Sequence, residues 1–416
     1  MVWRGFDAMK TTTIAILFFV LSLITFFAKP FFNNKTHPTM LPDVGTKIKL
    51  VVCSATSARR SSLRNTELVN NIVNSLDDDV HVMLLVNDRE VFKTSLNNGR
   101  VTFVEIPSES DITIWPQDPF VVLKDRESTK LITPSLFKRK DDRLMARQLS
   151  TILGVEVVQS ELLFEGGNIV CGESEVFIGF DTLYINSQVF DTTMEEIEER
   201  FSKLFGRTVV AIGNKTQEIG HIDLIVTPLA DNQIAVADSR QGAKVASRTL
   251  TQTPDRIARF ERNCEKRFFG NPSINKLVDS SGDSIDCPKV IGQTQAAIRY
   301  SNSLSDSLDE IASQLSQGGY EVIRIPALIP NQSPASATGE NPILAFPFMS
   351  YNNVLTETVA NRTIVYLPQY GIAELDSAAT QYWEGNGFTV RPIKGFQTSA
   401  MHGGALRCCT KVLLRE

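Results

Sequence analysis

The chain has 416 residues, 42% hydrophobic and 21% charged, which is ordinary globular composition. A formal net charge of −5 argues against nucleic-acid binding driven by phosphate contacts and is compatible with a cationic ligand. The length allows two or three domains, or one large α/β domain.

In chain order the first element is apolar. Residues Thr11 to Ala28 carry no charge, with Arg4 and Lys10 before them and Lys29-Pro30 after. This reads as a signal peptide over residues 1–30 of a secreted or exported protein. The uncharged run of 18 residues also reaches the lower range of a membrane span, so a single-pass anchor over residues 11–28 is the alternative. A linker over 31–46, with Pro38, Pro42 and Gly45, follows. The remainder, 47–416, is expected to fold as one domain carrying an insertion at about 241–303. The six cysteines are Cys53, Cys171, Cys264, Cys287, Cys408 and Cys409. Cys264 and Cys287 bracket a polar segment and form the candidate disulfide, with two unpaired loop cysteines as the alternative.

A unit then recurs five times: an amphipathic helix, a short β run, a loop and a β hairpin. The first copy has a helix near Ser62–Leu76, strands Val80–Asn87 and Val101–Ile106, then the segment Ile114–Leu123. The second has a helix near Asp142–Leu153, the strand Val155–Val158, then Phe164–Cys171 and Glu175–Ile178. The third has Met194–Phe205, Val209–Ile212, Gly220–Val226 and Gln233–Ala237. The fourth has Ser305–Leu315, Tyr320–Ile325, Phe348–Leu355 and Thr363–Leu367. The fifth has Ala373–Trp383, Phe388–Ile393 and His402–Leu413. Helices are read from apolar spacing of three and four, strands from Val/Ile/Phe/Tyr runs bounded by Gly, Asn or Asp.

The reactive residues fall at one place in each copy, the start of the hairpin. Asp118, Glu165, His221 with Asp223, Asn352 with Asn353, and Cys408 all stand there. Asp118 to Glu165 is 47 residues; Glu165 to His221 and Asn352 to Cys408 are each 56. In a closed ring of similar units, equivalent positions face one centre. The expected site therefore holds a thiol, an imidazole and three carboxylates. A thiol beside an imidazole is a nucleophile–base arrangement. Carboxylates alone would raise the thiol pKa, and a cationic substrate resolves that conflict. A guanidinium is planar and pairs bidentately with carboxylates, so it fits the set best. No further His or Cys pair has zinc-ligand spacing, and the chemistry needs no metal or organic cofactor.

Trp115-Pro-Gln-Asp118, Glu165-Gly-Gly-Asn-Ile169, Gly220-His-Ile-Asp223 and Gly403-Gly-Ala-Leu-Arg-Cys-Cys-Thr410 together resemble the four signatures of the pentein, or guanidine-modifying, superfamily. The resemblance runs from about Lys47 to Leu414. It implies a pentein catalytic domain with a fivefold pseudosymmetric α/β propeller, agmatine deiminase-like and peptidyl-arginine deiminase-like. It implies Cys408 as nucleophile, His221 as general acid and base, Asp118 and Asp223 as guanidinium-holding carboxylates, and Glu165 supporting histidine and substrate. Trp115, Asn168, Asn352, Asn353 and Gly404 are the candidate substrate-contacting residues. The implied partner is a small guanidine or an arginine-containing peptide. An amidinotransferase and a non-catalytic pentein binding protein are the alternatives. Two positions depart from the small-molecule deiminases: Gln117 stands where Arg is usual, and Arg407 replaces the His before the cysteine.

Overall fold

A strand pair, a helix and a third strand make a unit that the chain folds five times over. The computed structural model describes residues 37–55, 65–89, 96, 99–110, 112–126, 128–215, 219–269, 277–278, 284–285, 289–333 and 343–416. The chain runs β1 (Thr39–Met40), β2 (Ile48–Ala55), α1 (Thr66–Ser75), β3 (His81–Val86), β4 (Val101–Glu105), β5 (Val121–Lys124), β6 (Thr129–Thr133), α2 (Arg143–Leu153) and β7 (Glu156–Gln159). It continues as β8 (Ile169–Cys171), β9 (Glu175–Gly179), α3 (Phe180–Phe190), α4 (Met194–Phe205), β10 (Thr208–Ile212), β11 (Val226–Pro228), β12 (Gln233–Asp238), α5 (Ser239–Gln252), α6 (Pro254–Phe269), β13 (Leu277–Val278) and β14 (Ser284–Ile285). The last part holds α7 (Thr294–Ser303), α8 (Ser305–Gln317), β15 (Glu321–Leu328), β16 (Met349–Ser350), β17 (Leu355–Val359), β18 (Arg362–Gln369), α9 (Ala373–Gly385), β19 (Thr389–Lys394), α10 (Gln397–Met401) and β20 (Thr410–Arg415).

Each blade has an antiparallel pair followed, after one or more helices, by a parallel third strand. The sets are β5-β6-β7, β8-β9-β10, β11-β12-β15, β17-β18-β19 and β20-β2-β3. β1 adds to β5, β16 to β15 and β4 to β3. In the fifth blade the C-terminal strand β20 pairs with β2, so the two ends of the domain close the ring. The fold is thus the fivefold α/β propeller of the pentein type.

Sequence pattern explains why the blades hold. α4 buries Ile197, Phe201 and Phe205 at spacings of four, and Thr193 caps it by accepting from the Glu196 N–H. Phe164 meets Phe201 and Phe205 edge-on, with ring centroids 6.5 and 6.4 Å away. That contact fixes the chain just before Glu165. α2 likewise buries Met145, Ala146, Leu149 and Leu153.

Several expectations change. Repeat boundaries shift, because a sheet joins the hairpin of one copy to the inner strand of the next. Ile48–Ala55, read as no element, is a fully paired strand. In the stretch expected as a linker, β1 pairs with β5, and Asp43 exchanges backbone hydrogen bonds with Cys171 through its side chain and N–H. α3 went unread, and the insertion is largely helical in its described part. The signal or anchor segment and Cys287 lie outside the described residues; Cys264 is buried on α6. Among the described residues no helix is long and apolar enough to cross a membrane.

Candidate active site

The reactive residues sit in turns two to five positions before the first strand of each blade, rather than on the strands themselves. Asp118 precedes β5, Glu165 precedes β8, His221 and Asp223 precede β11, Asn352 and Asn353 precede β17, and Cys408 precedes β20. Glu165 and His221 each lead into a single 3-10 turn, Gly166–Asn168 and Ile222–Leu224. Cys408 and Cys409 share a turn, so strand alternation does not set their directions.

Hydrogen bonds pass from each turn to the next and close the circle. The Gly166 N–H donates to Asp118 O (2.9 Å), and Gln117 Nε2 returns a bond to Gly166 O (3.1 Å). The Ile222 N–H donates to Asn168 Oδ1 (3.1 Å). Asn353 Nδ2 donates to Asp223 O (3.1 Å), and the Cys408 N–H donates to Asn353 Oδ1 (3.1 Å). Lys411 Nζ reaches Gln117 O at 3.3 Å, joining the last turn to the first. Burial dominates that amine and, with Arg407 nearby, lowers its pKa to about 7.

This circle gathers the expected catalytic groups. The Cys408 sulfur lies 3.7 and 3.9 Å from the two oxygens of Asp223, and Asn353 Nδ2 donates to it at 3.2 Å. His221 Nε2 is 2.9 Å from Glu165 Oε2, and Nδ1 is 3.7 Å from Asp118 Oδ1. Cys408, Asp118 and Asp223 are buried, whereas His221 and Glu165 keep side-chain exposures of 21% and 22%. Solvent therefore reaches the site from the imidazole side.

Each buried carboxylate has one oxygen engaged by an arginine of the chain itself. Arg139 Nη2 donates to Asp118 Oδ2 (2.6 Å), and Arg407 Nη1 to Asp223 Oδ2 (2.9 Å). Asp118 Oδ1 accepts only the Gly167 N–H among the bonds described, at 3.1 Å. Arg139 is itself braced by Asp142, whose Oδ2 accepts from Nε at 2.8 Å.

Electrostatics follow from this packing. Burial, then Asp223 and Asp118, push the Cys408 thiol well above its ordinary value. Burial also opposes the His221 imidazolium, yet Asp118, Glu165 and Asp223 outweigh it and raise its pKa to about 9. Burial likewise disfavours the Glu165 anion, but the His221 partner dominates and keeps that carboxylate ionised. The resting site thus holds His221 as an imidazolium and Cys408 as a thiol kept neutral by burial and by its anionic neighbours.

Asn353 touches the Cys408 sulfur, and Asn352 beside it is buried with no hydrogen-bond partner for its amide among the described residues. A Cβ on Gly404 would lie 2.3 Å from the Trp115 ring and 3.1 Å from the Cys408 Cβ, so these three pack as one wall. Asn168 spends its amide inside the fold, on the Ile222 N–H and on Thr182 Oγ1 (2.8 Å). It holds the histidine turn. Arg139, Gly167 and Asp43 went unread as site residues. Asp118, Glu165 and His221 place a ligand atom each within 4.8 Å of one another, a spacing a divalent ion could use. Arg139 lies 3.9 Å from Glu165 and Lys138 2.9 Å, so positive charge is already supplied there.

The family model for Porphyromonas-type peptidyl-arginine deiminase matches residues 53–271, just over half of the chain. The chain belongs to that family. Its members are hydrolases that act on carbon–nitrogen bonds, and the matched residues include Asp118, Glu165, His221 and Asp223. No curated protein matches in sequence. The deiminase fold is similar to that of C. jejuni agmatine deiminase, with 13% identity over 93% of this chain and 99% of that one, at a TM-score of 0.59. Agmatine deiminase of Enterococcus faecalis matches with 14% identity over 91% and 96%, at a TM-score of 0.55.

Proposed function

We propose that this deiminase hydrolyses the guanidinium of a small guanidine or an arginyl peptide to a ureido group and ammonia, through a thiouronium on Cys408. The observation that carries the reading is the Cys408 sulfur packed 3.7 Å against a buried carboxylate. That setting disfavours the thiolate until a cation arrives. A guanidinium held by the remaining oxygens of Asp223 and Asp118 neutralises them and lowers the cost of the thiolate.

As the guanidinium binds, the Cys408 proton passes to solvent, to be regained when the product leaves; the thiolate then attacks the central carbon, giving a neutral tetrahedral adduct. The His221 imidazolium protonates one amino group, which leaves as ammonia. The carbon remains bonded to sulfur as a thiouronium cation. Water adds to it as His221 takes a proton from that water. Collapse forms the carbonyl and expels the thiolate, and the released proton leaves with ammonia as ammonium. Asn353, donating to the sulfur, stabilises it as attacking and leaving group alike.

The test is ammonia and ureido release from agmatine, free arginine and an arginyl peptide, each with and without an added amine. Release of both products from one substrate, lost in Cys408→Ser, supports the reading. Amine-dependent transfer instead identifies an amidinotransferase. No product from any substrate contradicts hydrolysis.

A further inference from the structure

Arg407 stands one residue before the nucleophile, and its guanidinium is divided between two carboxylates. Nη1 donates to Asp223 Oδ2 at 2.9 Å. Nε and Nη2 donate to Asp43 Oδ1 (3.2 Å) and Oδ2 (2.9 Å), and Nη2 also to Ile169 O (2.9 Å). Asp43 comes from the strap ahead of β2, where its N–H donates to Cys171 O and its Oδ2 accepts the Cys171 N–H, both at 2.8 Å. We propose that Asp43, acting through Arg407, is a positioning residue that keeps one oxygen and one net negative charge of Asp223 free for the guanidinium of the substrate. This rests on the reading of Asp223 as a substrate-binding carboxylate.

Arg407 and Asp223 alone would form a neutral pair, and an arginine left unheld grips a carboxylate by both oxygens. A cation approaching such a pair finds little attraction. Asp43 takes two of the donor positions, so Arg407 gives Asp223 one contact only. The three groups then sum to one negative charge. Arg407 is needed as well, because burial pushes the Asp223 carboxyl toward its neutral form and the arginine is the largest influence opposing it. The other charged groups facing Asp223 are His221, Asp118 and Lys411, with the Cys408 thiol; Lys411 also acts on Asp43, and Arg415 donates to its backbone oxygen. A buried chain of three charges next to the sulfur is costly to assemble unless each member is paired.

The test uses the whole chain and whichever guanidine substrate it turns over. Asp43→Asn keeps the size and removes the charge. It should raise KM at least about tenfold with a smaller change in kcat, since it removes an electrostatic interaction with a cation. Both limbs of the kcat/KM pH profile should move toward lower pH, because the site becomes more positive. A folded variant with wild-type KM and profile overturns the proposal. If Asp43→Asn melts below the assay temperature, Asp43→Glu replaces it. Its profile should stay at the wild-type position because the charge remains, and a displaced profile overturns the proposal. Cys408→Ser separates the two readings. Turnover surviving in it sinks the active-site assignment, whereas lost turnover with an unaltered Asp43→Asn sinks only the role of Asp43.

Discussion

Alanine at Gly167 is the sharpest small perturbation of this site. The Gly167 N–H holds Asp118 Oδ1, and the imidazole lies over its α-carbon. An added Cβ would sit 2.4 Å from His221 Nδ1, 2.8 Å from Asp118 Oδ1 and 3.0 Å from His221 Cε1. Unstrained contacts between such atoms are about 3.5 Å, so the ring must retreat by roughly 1 Å. A misplacement of about 1 Å at reacting groups costs on the order of 100-fold in rate. That factor corresponds to about 2.7 kcal/mol of barrier. Overpacking of one methyl costs about 1–3 kcal/mol of stability, so the variant stays folded at room temperature. The assay is kcat for ammonia release beside a thermal melt. A folded Gly167→Ala enzyme with wild-type kcat would refute the placement of His221 over this glycine.

Three further outcomes follow from the same structure. The raised pKa of His221 adds stability that is fully present below about 6.5 and is lost as pH rises through about 9. The melting midpoint should therefore fall between these values, and His221→Gln should flatten the fall; equal slopes contradict the pairing. Because Arg139 and Lys138 already place positive charge at Glu165, dialysis against a chelator should leave turnover within about twofold, and loss restored by a divalent ion would contradict this. Phe164→Ala removes the ring packed on Phe201 and Phe205, which should cost about 3–5 kcal/mol in chemical denaturation; a cost under about 1 kcal/mol would show that the contact does not anchor the Glu165 turn.

Much of the site was legible because its members are local. Asp118, Glu165, His221 and Asn353 stand beside Pro, Gly or Asn, and with Asp223 and Cys408 they fall at the hairpin starts of the repeat, so their gathering could be read without coordinates. The arginine partners were hidden by distance along the chain. Asp43 and Arg407 are separated by 364 positions and meet only when β20 closes on β2. Ile48–Ala55 went unread for the same reason: its hairpin partner is the last strand. α3 was missed because its apolar residues are not confined to one face, with Tyr184, Ile185 and Val189 exposed. The run His402–Leu413 divides at Cys408, because the turn Leu406–Cys409 precedes β20, which begins only at Thr410.

Acid-quenching the enzyme during turnover of a guanidine substrate, followed by fragment-resolved mass spectrometry, examines the five-turn site most directly. A thiouronium adduct on Cys408 with the mass of the substrate less ammonia, formed and consumed at the rate of ammonia release, is the predicted result. Full turnover with Cys408 unmodified, or with the adduct on Cys409, would contradict it.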